Sequence, residues 1–284
     1  MLAGPTIRRR RLGTDLRRLR EQSSLRLEEV AQHLGVAPST LSRIETGKAP
    51  TRTSYLTVML DLYGVDDPER RRLFMDSARE GQRKGWWAGS AELLLAGTGT
   101  YLGLEAEASA LHTFQAQVVP DLVRTPAYAR AVVTASRPEL APDQVDTVVA
   151  VQLRRQEVLQ RSDPIRLRLI LDESVLLRSL GPVSLMREQL ERLIDAGSQP
   201  MVTIQVLRLA GAGPPVLAGS FGILSFAGPD DDDVAYAEGI RGHVLLEQRE
   251  SELHAMRLMF DALSRSASSP RESARLIREL AASL

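Results

Sequence analysis

Residues 27–48 read LEEVAQHLGVAPSTLSRIETGK, two short helical patterns on either side of a glycine. Leu27, Val30, Ala31 and Leu34 recur at helical spacing and make one apolar stripe, which Gly35 ends. Pro38 then opens a second helix in its first turn, where the missing N–H costs nothing. At about 100° per residue, Leu41 and Ile44 fall on one side of that second helix. Ser39, Ser42 and Arg43 fall on the other. Gly47 supplies a residue that tolerates a left-handed stop. Helix, glycine-containing turn, helix with a polar outward face is the helix-turn-helix layout, in which the second helix enters the major groove. Arginine can donate a bidentate pair to guanine, and serine or threonine hydroxyls serve several bases.

Working outward, TIRRRRLGTDLRRLREQ (6–22) precedes the motif. Arg8, Arg9, Arg10 and Arg11 read as a flexible basic arm within residues 1–12, with helix from near Thr14 or Asp15 and Thr14 as its N-cap. Leu12, Leu16 and Leu19 form its stripe. The overall charge of zero hides a division: residues 1–84 hold 17 Lys+Arg against 11 Asp+Glu, a net of +6, so the remainder carries −6. A basic head on an acidic body points to a polyanionic partner for the head. The chain has no cysteine, which excludes disulfides, cysteine–zinc sites and thiol nucleophiles. No signal-peptide pattern and no apolar run of membrane-spanning length is present, so a cytoplasmic protein without membrane partners is expected.

At these residues the head resembles the lambda-repressor/Cro-like (Xre) DNA-binding domain, over about residues 13–63. LRRLRE, the quoted stretch, and SYLTVMLDLYGV carry the likeness in the family's order and spacing. The resemblance implies a mainly α, five-helix head in which Ser39, Thr40 and Arg43 read bases. It implies that Arg26, Ser42 and Lys48 lie at the DNA backbone, joined by the arm arginines. It also implies a structural ion pair between Arg20 and Glu45. Two departures stand out: Arg26-Leu27 replaces a frequent Thr-Gln, and Ala37 replaces a frequent capping Ser or Thr.

A domain boundary is expected near residue 84, giving a head at 13–84 and a body at 85–284. Trp86 and Trp87, the only tryptophans, read as a packing anchor or part of a ligand or partner site. Helices are expected near 103–117, 126–136, 143–162, 182–196, 244–266 and 271–283. Strands are expected at 165–171, 201–207, 221–226 and 234–239. The first two strands flank a helical segment and should run parallel; the last two should run antiparallel. The body is therefore an α+β unit, a small mixed sheet covered by helices. The order VVPDLVRTPAYARAV, VQLRRQEVL, LILDESVLLRSLG, MREQLERLIDAG, VTIQVLRL, GSFGILSF, VAYAEG resembles the C-terminal domain of WhiJ-type regulators, over residues 100–280. That resemblance implies a regulator, often encoded beside a small partner protein, with no established ligand.

The body offers little chemistry of its own. His33, His112, His243 and His254 do not share metal-ligand spacing, so no metal and no cofactor is called for. Asp172-Glu173 suits a helix N-terminus, AGAGPPVLAG (210–219) a flexible loop, and PDDDD (229–233) a solvated hairpin loop. Arg154 and Arg155 sit mid-helix, where either can meet an anionic ligand or an acidic neighbour. Glu238 is the odd charge in a strand and needs a partner or ligand if it points inward. The expected function is a sequence-specific DNA-binding transcriptional regulator that is not an enzyme. It is expected to act as a homodimer on an inverted repeat, with ligand or partner sensing in the body. The stripe Leu253, Met256, Met259, Phe260 and Leu263 serves either its core or the dimer. The alternatives are one half of a toxin–antitoxin-like pair, or a DNA-targeted enzyme with an unrecognised active site.

Overall fold

The computed structural model describes residues 7–82, 85–210, 219–228, 232–239, 242–245 and 250–284. The chain falls into two compact units. One is built on residues up to Ala88 together with Gly99–Glu107, and the other on Gly89–Thr98 and on the chain from Ala108 onward apart from Gly228–Asp231.

The first unit holds α1 (Ile7–Gln22), α2 (Leu27–His33), α3 (Pro38–Glu45), α4 (Thr53–Leu62) and α5 (Pro68–Gln82). Their apolar stripes close one core, in which Leu16, Val30, Leu41, Ile44, Leu56, Met59 and Leu60 are essentially inaccessible. Glycines at positive φ (Gly35, Gly47 and Gly64) follow α2, α3 and α4. After α2, Gly35 N–H bonds the Gln32 carbonyl (3.1 Å) and Val36 N–H the Ala31 carbonyl (3.0 Å). This closure turns the chain within a few residues into Ala37, the N-cap of α3.

The start of α1 corrects the expected arm. Helix begins at Ile7, not near Thr14, so Arg8–Arg11 lie in its first turns. The reason is packing. Arg9 is buried, and its Nε donates to the Gly81 carbonyl at the end of α5. A Cβ built on Gly47 would sit 2.8 Å from Arg10 Cα, so the turn after α3 lies directly against the α1 backbone. A Cβ on Gly13 would meet the carbonyl oxygens of Glu45 (2.5 Å) and Ile44 (2.6 Å), so α1 and the end of α3 touch through a glycine.

The second unit is an α+β fold, as expected, around a six-stranded sheet. Its strands are β1 (Ala110–Gln115), β2 (Arg166–Asp172), β3 (Val202–Leu207), β4 (Phe221–Ser225), β5 (Val234–Gly239) and β6 (Gly242–Leu245). The spatial order is β3-β2-β1-β4-β5-β6. β1, β2 and β3 are parallel, whereas β1–β4, β4–β5 and β5–β6 are antiparallel. The helix α6 (Thr98–Glu105) belongs almost wholly to the first unit, and the helices of the second are α7 (Pro126–Ser136), α8 (Pro142–Arg155), α9 (Glu173–Leu177), α10 (Val183–Gly197), α11 (Glu250–Ser266) and α12 (Pro270–Ser283). Two expected helices are revised. The segment 103–117 divides into the end of α6 and the buried strand β1, and 244–266 contains the edge strand β6 before α11 begins. Of the expected loops, 211–218 and 229–231 lie outside the described residues.

Strand alternation sorts the two sheet faces. Phe114, Ile170 and Phe221 pack with Phe260 and Leu263 of α11. On that same face His112 stacks on the Phe260 ring at 5.1 Å. The buried part of the α11 stripe is thus core, while its Met259 (43%) and the neighbouring Leu258 (56%) stay exposed. The opposite face carries Thr113, Gly222 and Tyr236 in register across β1, β4 and β5. A Cβ on Gly222 would fall 2.5 Å from the Tyr236 hydroxyl, so glycine makes room for that ring.

Candidate nucleic-acid interface

In α3 the helical period does what the spacing implied. Leu41, Ile44 and Glu45 are buried, Ser39, Ser42 and Arg43 are exposed, and Thr40 is half-buried. The side chains of Ser39, Thr40, Ser42 and Arg43 make no hydrogen bond or ion pair with any other described residue, so their donors face solvent uncommitted. No side chain caps the start of α3, because Ala37 has no oxygen to offer. Pro38 has no N–H and the Thr40 N–H bonds the Ala37 carbonyl (2.8 Å), so in the first turn the Ser39 amide is the one left to water or to an incoming phosphate. Arg26 at the start of α2 and Lys48 after α3 are exposed. Glu29 Oε2 accepts from the Arg26 backbone N–H (2.7 Å), so half a capping box stands in for the missing threonine.

A buried ion pair holds this face in place. Arg20 Nε and Nη2 donate to Glu45 Oε1 (2.7 Å) and Oε2 (3.0 Å), a two-pronged contact. Arg20 Nη1 also donates to the Leu25 carbonyl (3.0 Å). The hydrogen bond to Glu45 raises the Arg20 pKa against the opposing effect of burial. Because Glu45 is the last residue of α3, the pair fixes the C-terminal end of that helix to α1 and to the α1–α2 turn.

The arm arginines take different places. Arg9 leaves the expected backbone-contacting set: it is buried, and its charge is spent inside the unit. Arg11 is exposed and Arg10 half-buried against the Gly47 turn. The Arg8 side chain lies outside the described residues.

Of the expected ligand residues, Trp86 and Trp87 belong to the first unit and Arg154, Arg155 and Glu238 to the second. Trp86 and Trp87 meet edge to face, with centroids 5.5 Å apart. Arg154 is exposed beside Glu157 (3.9 Å). Arg155 is buried and, with Arg124, donates to Asp121. Burial disfavours the Asp121 charge, but Arg124 and then Arg155 overcome it and hold that carboxyl below its usual range. Glu238 points inward from β5 and accepts from Gln115 Nε2 (3.0 Å). Burial pushes its carboxyl above the ordinary range. Sequence reasoning found Glu238 and Arg155 but missed Asp121, Arg124 and Gln115. The i, i+3 pairing within PDLVR was the one available signal for Asp121 and Arg124.

Two comparisons with known families match. A helix-turn-helix domain model covers residues 11–73, so the first unit is of the class that DNA-binding regulators carry. A model described as a domain of unknown function, DUF5753, covers residues 98–279, more than half of the chain. The chain belongs to that DUF5753 family and carries a helix-turn-helix domain ahead of it. No curated protein and no solved structure matches the chain. No helix among the described residues is long and apolar enough to cross a membrane.

Proposed function

We propose that this is a sequence-specific transcriptional regulator with an Xre-type, lambda-repressor/Cro-like head and a WhiJ-type body. It works in the cytoplasm, binds double-stranded DNA as a homodimer on an inverted repeat, and carries out no catalysis. The observation that carries the reading is the solvent-facing strip Ser39–Ser42–Arg43 on a helix clamped by the buried Arg20–Glu45 pair. A rigid helix with uncommitted donors suits base edges, because its side chains need little reordering on binding. Arg26, Ser42, Lys48, Arg10 and Arg11 supply the backbone contacts, which set register without reading sequence.

A single recognition helix reads too few base pairs to select one genomic site, so two heads must be joined. The head's apolar stripes go mostly into its own core, with Leu73 of α5 left exposed, whereas the body exposes Leu258 and Met259 in succession on α11. These two supply the apolar contact of the dimer, and the body senses a ligand or a small protein partner. The test is selection of bound sequences from a random duplex pool by the full chain, with its mass in solution measured by light scattering. Enrichment of two inverted half-sites about one helical turn apart, about 34 Å, together with a dimer mass, supports the reading. A monomer, or recovery of no common sequence, refutes it.

A further inference from the structure

One row of the sheet contains an inward carboxylate, Glu238, with few hydrogen-bond partners among the described residues. On the face turned away from α11, Gln115 of β1, Ser220 before β4, Glu238 of β5 and His243 of β6 stand side by side. The order follows from the register: Glu238 pairs with His243 across β5–β6, and Glu238 N–H bonds the Ser220 carbonyl (2.9 Å). Beyond the end of β1 lie Asp121 and its two arginines.

Consider where each polar atom goes. Arg124 and Arg155 both turn onto Asp121, and Gln156 Nε2 ties that loop through the Asp121 and Arg124 carbonyls (2.9 Å each). Both guanidiniums favour the Glu238 charge through space while they donate to Asp121. Among the described residues Glu238 accepts from one neutral donor, Gln115 Nε2 (3.0 Å), and has His243 Nε2 at 4.0 Å. Burial and Arg155 hold His243 neutral, with its pKa pushed down to about 3, so it brings no positive charge. The Gln115 amide is fixed in orientation, because Nε2 also donates to Thr113 Oγ1 (3.2 Å), whose own hydroxyl donates to the Phe221 carbonyl (2.9 Å). That leaves Gln115 Oε1 buried with no partner among the described residues. The Glu238 side chain, crowded by these strands, still keeps 31% of its surface open.

An inward carboxylate that accepts from one amide among the described residues, beside a buried amide oxygen with no partner among them, has acceptor capacity left for a ligand with several N–H donors. We propose that this row is a binding site for a small organic cation, a primary ammonium compound. Its N–H groups would bond the Glu238 carboxylate and Gln115 Oε1, while the half-buried His243 ring, itself packed against the buried Tyr236 (5.6 Å), flanks its carbon skeleton. The place suits a ligand, since β1 has a parallel neighbour on one side and an antiparallel one on the other, and α/β sheets open crevices where strand connections diverge. This deepens the sensing role proposed above and rests on it only for its biological consequence.

The experiment uses the full chain. Alkyl- and arylammonium chlorides, their matching neutral alcohols, and sodium and magnesium chloride are titrated by calorimetry and by thermal melting. At least one ammonium compound should bind saturably where its alcohol does not. Glu238→Gln should weaken that binding at least about tenfold, the loss of one charge-assisted contact. Glu238→Asp, which keeps the charge, should retain part of it, and circular dichroism of both variants checks their fold. Saturable binding of no ammonium, equal binding of the alcohol or of magnesium, or undiminished binding by Glu238→Gln overturns the proposal. Affinity for the selected DNA is then measured with the ammonium bound. Binding without any change in DNA affinity leaves the site standing and refutes the sensing role instead.

Discussion

Replacing Glu45 with alanine should loosen the head far more than its exposed neighbours do. Arg20 is only 11% exposed at its side chain and spends two of its donors on Glu45. A guanidinium cannot shed its proton, so the variant must keep a charge with one carbonyl left, that of Leu25. Removing one partner of a buried ion pair costs about 3–5 kcal/mol. Arg20 lies near the rim and Glu21 Oε1 is 3.7 Å from Nη2, so partial re-pairing favours the lower end, about 3 kcal/mol. At about 1.4 kcal/mol per decade, that is an increase on the order of 100-fold in exchange through global opening of the head. Hydrogen exchange by mass spectrometry should show it in α1 and α3 peptides, with β1–β3 peptides unchanged. A companion double variant, Arg20→Met with Glu45→Leu, should recover much of the loss, because it removes the stranded charge. Unchanged exchange in Glu45→Ala, or a double variant as unstable as the single one, would refute the reasoning.

Two more outcomes follow from the packing and the titrating groups. Gly13→Ala should destabilise the head by about 3 kcal/mol or more, since the added methyl would lie 2.5 Å from the Glu45 carbonyl and two helices must part; chemical denaturation of the head measures it, and near-neutral behaviour would contradict the contact. His243, pushed down to about 3 in the fold from an ordinary 6.5, binds its proton more readily when unfolded. Its contribution is therefore present above pH 6.5 and lost as pH falls from 6.5 toward 3. Glu238, whose carboxyl is raised, works in the opposite sense above its ordinary 4.5. The melting temperature of the body, followed through this range in a Glu238→Gln background, should fall with acid, and His243→Asn should flatten the fall; parallel curves would contradict it.

Sequence reasoning reached some elements more easily than others, for physical reasons. β2 to β5 are branched or alternating runs with clear turns, and their positions and directions follow from that pattern. β1 is ALHTFQ, a central strand buried on both faces, so alternation is lost and good helix formers stand on either side of it. β6 has four residues on a sheet edge, too short for any period to register. The outward face of α3 was legible because a helix of eight residues needs only its stripe. The Arg20–Glu45 pair was reached through family resemblance, since no local rule joins residues 25 apart. Glu238 was visible as an odd charge in a strand. Its partner Gln115, 123 residues away, was not, because only the sheet register brings them together. The arm was misread because a run of four arginines suggests repulsion, whereas the fold buries Arg9 and lays Arg10 against a glycine turn.

The central claim is that α3 reads DNA sequence, and Arg43 tests it most directly. It is exposed on the outward strip, and no described residue competes for its guanidinium. Wild type and Arg43→Ala should be compared for affinity to the selected operator and to random duplex at one fixed salt concentration. Loss of a bidentate base contact costs about 1–3 kcal/mol per half-site on the operator and little on random DNA, so the ratio of the two affinities should fall at least about fivefold. An equal loss on both, leaving the ratio unchanged, would make Arg43 a phosphate contact and contradict the assignment of α3 as the reading helix.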